Sequence, residues 1–230
     1  MSKALLITRI VVQTVVWFGA MGALLFLGAG TWHWPAAWLF ILGMIVFGIW
    51  GGIAMVRHDP ALVAERTGSL FQREQPRADK IFVVALCCVL LVWLVVMGVD
   101  VMRLGWSHMP AWLQVAGGVA LVFGGWLAYR VMRENSFAAP VVKIQHERQQ
   151  TVISSGPYAF VRHPMYSGML FVFVGIALLL GSWWGVVIAV GLSLMFCIRI
   201  PIEEKALREG LAGYDAYAER VRWRLVPGVW

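Results

Sequence analysis

The chain has 230 residues, 60% of them hydrophobic and 13% charged, with a mean hydropathy of +0.76 and a formal net charge of +7. A soluble domain carries about 25% charged residues, and here the few charges sit in short stretches between long apolar blocks, which excludes a water-soluble globular domain and reads as a membrane protein. The basic excess forms no aromatic-interleaved patch, so nucleic acid is excluded as a partner and the charge reads as an orientation signal.

In chain order, apolar blocks predict transmembrane helices over Ile10–Ala29, Pro35–Val56, Ile81–Val99, Pro110–Val131, Met165–Leu180 and Trp183–Ile198, each near the roughly 20 residues that a span requires. The expected fold is therefore all-α and polytopic, with about six spans. The first block is longer than a signal-peptide core and no clear small-residue cleavage site follows it, so it is read as a retained span. Tryptophans at block edges, among them Trp32, Trp34, Trp106 and Trp112, suit the bilayer interface. Cys87, Cys88 and Cys197 lie inside apolar blocks and are read as buried small hydrophobes, and no His/Cys spacing suggests a metal site.

Lys3, Arg9, Arg57, Arg66, Arg73, Arg77, Lys80, Arg130, Arg133, Lys143, Arg148 and Arg162, with all the basic residues from Arg199 on, fall on one side of this arrangement, and Arg103 alone falls on the other. The positive-inside rule then places both termini in the cytoplasm of a multi-pass plasma (inner) membrane protein. The outer loops are short. Function is expected in the membrane or in the cytoplasmic segments Arg57–Lys80, Met132–Pro164 and Arg199–Trp230. The chain divides into an N-terminal four-span region, residues 1–131, and a C-terminal module, residues 132–230. Ionisable residues are absent from mid-span positions, which argues against an ion-coupled transporter.

The densest site chemistry lies in two clusters. In Ser155-Gly156-Pro157-Tyr158 through Arg162-His163-Pro164-Met165-Tyr166-Ser167-Gly168, Pro164 suits the first helical position, so Arg162 and His163 stand at a helix entrance that favours anions. In Arg199-Ile200-Pro201-Ile202-Glu203-Glu204, the sixth span is expected to end and Pro201 to start a new amphipathic helix, with Ile202, Leu207, Leu211, Tyr214, Ala218 and Val221 along one face. The two-residue turn Gly181-Ser182 makes the last two spans a hairpin. Their cytoplasmic ends, and so Arg162, His163, Arg199, Glu203 and Glu204, should meet at one mouth. Arginines and paired carboxylates there suit a zwitterionic ligand. The polar stretch Lys143–Gln150 is a candidate lid, and Glu134-Asn135-Ser136 can line the mouth. His58 reads as a helix stop.

These motifs, with Tyr214, Tyr217 and Arg224-Leu225-Val226-Pro227-Gly228, resemble the isoprenylcysteine carboxyl methyltransferase family and its relatives, the phospholipid N-methyltransferases. The resemblance covers roughly the last 80 residues. It implies a membrane methyltransferase using S-adenosylmethionine as cofactor, with a lipophilic or prenylated partner among the membrane lipids. It implies cofactor binding by Gly156, Pro157, Tyr158, His163, Tyr166, Glu203 and Glu204, and catalytic or substrate-orienting roles for Arg162, Arg199 and Glu204. The acidic run after the last span is only Glu203-Glu204, shorter than in the carboxyl methyltransferases, so the acceptor stays open between an isoprenylcysteine-like carboxylate and a lipid headgroup. Sterol-type membrane reductases share these C-terminal elements but use NADPH, and they carry Asn in place of Met165 and Glu in place of Met169. A scaffold or transporter is the alternative of another class.

Overall fold

The computed structural model describes residues 2–72 and 75–230, and Arg73, one of the basic residues used for orientation, lies outside the described residues. The described residues form eight α-helices: α1 (Lys3–Ala29), α2 (Pro35–His58), α3 (Pro60–Arg66), α4 (Arg77–Gly98), α5 (Ala111–Glu134), α6 (Pro164–Leu180), α7 (Trp183–Gly210) and α8 (Tyr214–Arg220). Helices are the expected solution for apolar segments, because lipid offers no partner to a free peptide group. Starts follow the local chemistry. Ser2 Oγ accepts from Leu5 N to cap α1, and Pro35, Pro60 and Pro164 open α2, α3 and α6.

The fold is an all-α polytopic membrane protein, in which α1, α2, α4, α5 and α7 are long and apolar enough to cross a membrane. The expected fifth span is the exception. As α6 it has only 17 residues, about 25 Å against a hydrocarbon core of about 30 Å. The outer surface carries an apolar belt that includes Val16, Leu27, Leu39, Val46, Ile81, Val119 and Ile198. A patch of that extent belongs in lipid. Trp32, Trp106 and Trp112 are exposed, whereas Trp34 is buried. Cys88 also faces outward and Cys87 and Cys197 are half-buried, a correction to their reading as core residues. The helical turn bearing Cys88 lies on the belt side of α4.

A core of Leu25, Phe40, Trp93, Leu121, Phe173, Leu192 and Phe196 ties six helices together. Trp93 is fully buried and its indole N–H donates to Gly185 O at 2.8 Å, which removes the cost of an unpaired donor. Helices α5 and α6 approach most closely along a glycine seam. A Cβ at Gly117 would lie 2.5 Å from Leu179 N, and one at Gly124 would lie 2.7 Å from Gly168 O. Small residues let backbones meet and gain dispersion contacts that lipid cannot supply between bulky side chains. Gly124→Leu should destabilise the protein by about 1–3 kcal/mol, read as a lower unfolding midpoint in detergent. A variant as stable as the parent would show that the seam contributes nothing.

Three expectations are corrected. The outer segment after α4 is not all loop, because Val99–Arg103 continues the helix as a π turn. That turn buries Asp100, whose Oδ2 accepts from Ser107 Oγ (2.6 Å) and Ser182 Oγ (2.5 Å) and so pins the α6–α7 turn. Helix α7 does not end before Pro201 but runs through it to Gly210. Proline removes one N–H bond, and the flanking burial of Ile200, Arg199 and Glu204 keeps the helix continuous. The following amphipathic stretch breaks instead at Gly213, which caps α8 with φ 85°, a conformation that glycine adopts without strain. Its apolar face packs on protein, with Leu211, Tyr214, Tyr217, Ala218 and Val221 against Ile144, Val152 and Tyr158.

Candidate active site

The unbroken α7 holds Arg199, Glu203 and Glu204 on one rigid element, and the α6–α7 turn brings the start of α6 beside them. Arg162 Nε donates to Glu204 Oε1 at 2.7 Å, and His163 Nε2 lies 3.3 Å from the same oxygen. Tyr166 donates its hydroxyl to Glu203 Oε2 at 2.5 Å, and His163 Nδ1 lies 3.7 Å from that oxygen. The His163 and Tyr166 rings are parallel, with centroids 5.5 Å apart. The mouth expected from the hairpin is therefore present.

The C-terminal segment locks this cluster. Arg162 N and His163 N donate to Trp223 O and Arg224 O, both at 2.9 Å. Ser167 Oγ donates to Leu225 O at 2.6 Å, and Arg224 Nε donates to Glu204 Oε2 at 3.2 Å. Arg162 Nη1 donates to Ala218 O, Val221 O and Arg222 O. Arg162, His163 and Glu204 are all buried.

A narrow cleft of about 110 Å³ opens beside this cluster. It is lined by Tyr158, Arg162, His163, Tyr166 and Glu203, by Tyr214 and Tyr217, and by the segment 137–144. Arg66 from α3 and Asn135 from the end of α5 complete it. Asn135 Nδ2 donates to Tyr158 Oη at 2.8 Å, and Tyr217 Oη donates to Tyr158 O at 2.8 Å. Burial raises the Tyr158 and Tyr214 hydroxyls above the ordinary tyrosine range and Tyr217 to about 12, so all three are neutral donors at neutral pH. The Tyr214 hydroxyl is buried without a hydrogen-bond partner among the described residues.

The structure sorts the sequence-derived site residues into three groups. Tyr158, Arg162, His163, Tyr166 and Glu203 line the cleft. Gly156 and Pro157 do not. They face a lateral apolar groove with Phe123, Trp126, Phe160, Phe171 and Pro227, because each residue of the 3₁₀ turn Gly156–Ala159 is rotated by about 120° from the last, which leaves Tyr158 on the cleft side. Gly156 is required there, since its φ is 57° and a Cβ would meet the Glu134 carboxylate at 2.8 Å. Arg199 and Glu204 stand behind the cleft. Arg199 Nε is 2.9 Å from Asp79 Oδ1, an ion pair by distance whose N–H is not aligned as a hydrogen bond. Its Nη2 donates to Pro140 O at 2.8 Å, and its guanidinium packs over the Phe82 and Tyr166 rings. Both arginines expected to orient an acceptor are thus largely committed to protein partners, because burial demands that their charges be matched. Arg162 Nη2 and Arg199 Nη1 have no protein acceptor among the described residues.

Asp79 and Arg66 were missed by the sequence reading. Arg66 was read only as an orientation charge, and Asp79 precedes the expected third span and lies in the first turn of α4 in the structure. Its Oδ2 accepts from Gln75 Nε2 (2.7 Å) and Val142 N (3.0 Å). The candidate lid forms part of the wall over the cleft, held by Lys143 to Glu65 at 3.0 Å and by Arg148 Nη1 to Ser136 O at 2.8 Å. The Glu65 carboxyl lies below the usual range. Burial opposes its ionisation, and bonds from Gln72 and Lys143 outweigh it. His58 ends α2, as expected, with Nε2 3.1 Å from Arg133 O.

The phospholipid methyltransferase family model matches residues 112–212, a stretch that contains both motif clusters but neither Arg66, Asp79 nor the locking C-terminal segment. A probable protein-S-isoprenylcysteine O-methyltransferase of Oryza sativa subsp. indica is 37% identical over 83 residues, which is 35% of this chain and 44% of that protein. Protein-S-isoprenylcysteine O-methyltransferase B of Arabidopsis thaliana is 35% identical over 83 residues, 35% of this chain and 42% of that protein. The chain spans less than half the length of the curated relatives it matches. The likeness carried by the motifs around Arg162-His163-Pro164 and Glu203-Glu204 is therefore a likeness to the phospholipid methyltransferases and the protein-S-isoprenylcysteine O-methyltransferases.

Proposed function

We propose that the chain is an integral membrane methyltransferase that uses S-adenosylmethionine to methylate a lipophilic acceptor, an isoprenylcysteine-like carboxylate or a lipid headgroup. One observation carries this reading. The segment Gly156–Ser167 separates a polar cleft from an apolar groove, with Tyr158, His163 and Tyr166 on the cleft side and Gly156, Pro157, Phe160 and Ser167 on the groove side. A polar donor and a lipid-borne acceptor can then approach one wall from two media.

The cleft residues fit the cofactor's chemistry. Glu203 Oε1 has no protein partner among the described residues and can accept from an ammonium or a ribose hydroxyl. The orphaned Tyr214 hydroxyl and the neutral tyrosines offer further polar contacts. S-adenosylmethionine supplies an activated methyl on a sulfonium, which leaves a neutral thioether after transfer. The protein's part is alignment and exclusion of water. Tyr158, His163, Tyr166 and Glu203 bind and orient, whereas Glu204, Arg162 and Arg199 are positioning residues that hold them. A carboxylate acceptor needs no base. For an amine acceptor, which must lose a proton, His163 is the candidate base. The excess of basic residues on one side supports cytoplasmic termini and a cytoplasmic cleft in a plasma membrane.

Incubating the purified protein with labelled S-adenosylmethionine and a total lipid extract should label a lipid species. Tight NADPH binding with no binding of S-adenosylhomocysteine would instead favour a sterol-type reductase. Glu203→Gln removes the free carboxylate charge and leaves the helix intact. It should weaken S-adenosylhomocysteine binding by roughly 10–100-fold at an almost unchanged unfolding midpoint. Unaltered affinity would remove Glu203 from the site.

A further inference from the structure

Helix α3 is a short helix whose position is over-determined. Asp59 Oδ1 accepts from Leu62 N at 2.9 Å to cap it, and Leu62 and Val63 bury against Leu6, Ile10, Met55 and Val56. This fixes its last residue, Arg66, in the wall of the polar cleft. Arg66 Nη1 donates to Ala138 O at 2.7 Å. The neighbouring acid, Glu65, is spent on Lys143 at 3.0 Å. No carboxylate lies within ion-pair distance of Arg66 among the described residues. Burial pulls its guanidinium below the ordinary value, and the Tyr158 and Tyr166 hydroxyls are close enough to act on it. A half-buried cation without a counter-ion among the described residues, lining a cleft, is unusual, since buried charges are normally paired.

We propose that Arg66 takes the carboxylate of the methyl donor's amino-acid end, with Glu203 as the matching group for its ammonium. This rests on the methyltransferase reading above, and it makes the N-terminal region part of the binding site. A forked guanidinium is the side chain best matched to a carboxylate. The carboxylate is the donor's and not the acceptor's, because Arg66 lines the polar cleft and not the apolar groove, whose lining cation is Arg130.

The test is calorimetry on the full-length protein in detergent with S-adenosylmethionine and with its decarboxylated analogue, which keeps the sulfonium and the ammonium. The parent should prefer the carboxylated ligand by about 10–100-fold. In Arg66→Gln that preference should fall to near unity, with binding of the decarboxylated analogue unchanged. If Arg66→Gln does not fold, Arg66→Lys decides. It keeps the charge without the fork, and should bind S-adenosylmethionine about three- to tenfold more weakly and the analogue as the parent does. Retention of the parent's preference in Arg66→Gln, or equal weakening of both ligands in a folded variant, overturns the assignment. A parent that binds both ligands equally also overturns it but leaves the methyltransferase reading standing. A parent that binds neither overturns both.

Discussion

Glu204→Ala should lower the stability of the protein by about 3–5 kcal/mol and abolish cofactor binding. Glu204 is the hub of the site: Arg162 and His163 meet at its Oε1 and Arg224 at its Oε2. Removing it leaves the Arg162 charge buried with only neutral carbonyls around it. The same arginine holds the backbone of residues 218–222 through Nη1, so the loss propagates into the C-terminal segment and into the pairing of Arg162 and His163 with Trp223 and Arg224. Glu204→Gln keeps the shape and an acceptor oxygen and should cost less, about 1–3 kcal/mol. Denaturant unfolding in detergent, followed by near-UV circular dichroism, measures both. A Glu204→Ala protein within about 1 kcal/mol of the parent would mean that Arg162 is hydrated and the buried pair is not the hub. The double variant Glu204→Leu/Arg162→Met should recover much of the stability, since the lone buried charge is then gone, yet it should stay inactive.

Asp79→Ala should be comparably damaging, again about 3–5 kcal/mol, with a different signature. Asp79 is fully buried at the start of α4 and joins three parts of the chain: Arg199 on α7, Gln75 before its own helix and Val142 in the cleft wall. Its loss strands Arg199, whose other anchor is Pro140 O in that same wall. Ala138, Ala139 and residues 141–144 line the cleft, so the wall should loosen. Limited trypsin digestion should then cut at Lys143 and Arg148 faster than in the parent. Unchanged cleavage together with unchanged stability would show that the wall is held by its other contacts alone, chiefly Lys143 to Glu65 and Arg148 to Ser136.

The sequence reading found the cleft because the site is local in the chain twice over. Residues 156–168 and 199–204 are each contiguous, and the two-residue turn at Gly181-Ser182 joins their helices. Chain connectivity alone thus placed Arg162 near Glu204. Partners that are distant in the chain were not legible. Arg199 looked like a substrate cation, but its counter-charge is Asp79, which lies 120 residues earlier in the chain. Gly156 and Pro157 looked like cofactor contacts, but a turn of 3₁₀ helix directs them to the groove. Pro201 looked like a helix start, and burial of its neighbours overrode that local preference.

Composition and hydropathy by themselves determined the class of the molecule, because the absence of water from a bilayer leaves an apolar chain only one way to satisfy its peptide groups here. Motif spacing determined where the chemistry is concentrated. Only the tertiary structure decided which charges pair with one another. Ion pairing acts over a few ångströms regardless of separation along the chain, so the commitment of Arg162 and Arg199 to protein partners, and the placement of Arg66 and Glu203 in the cleft wall, emerge only once α3, α4 and α7 converge on one cleft.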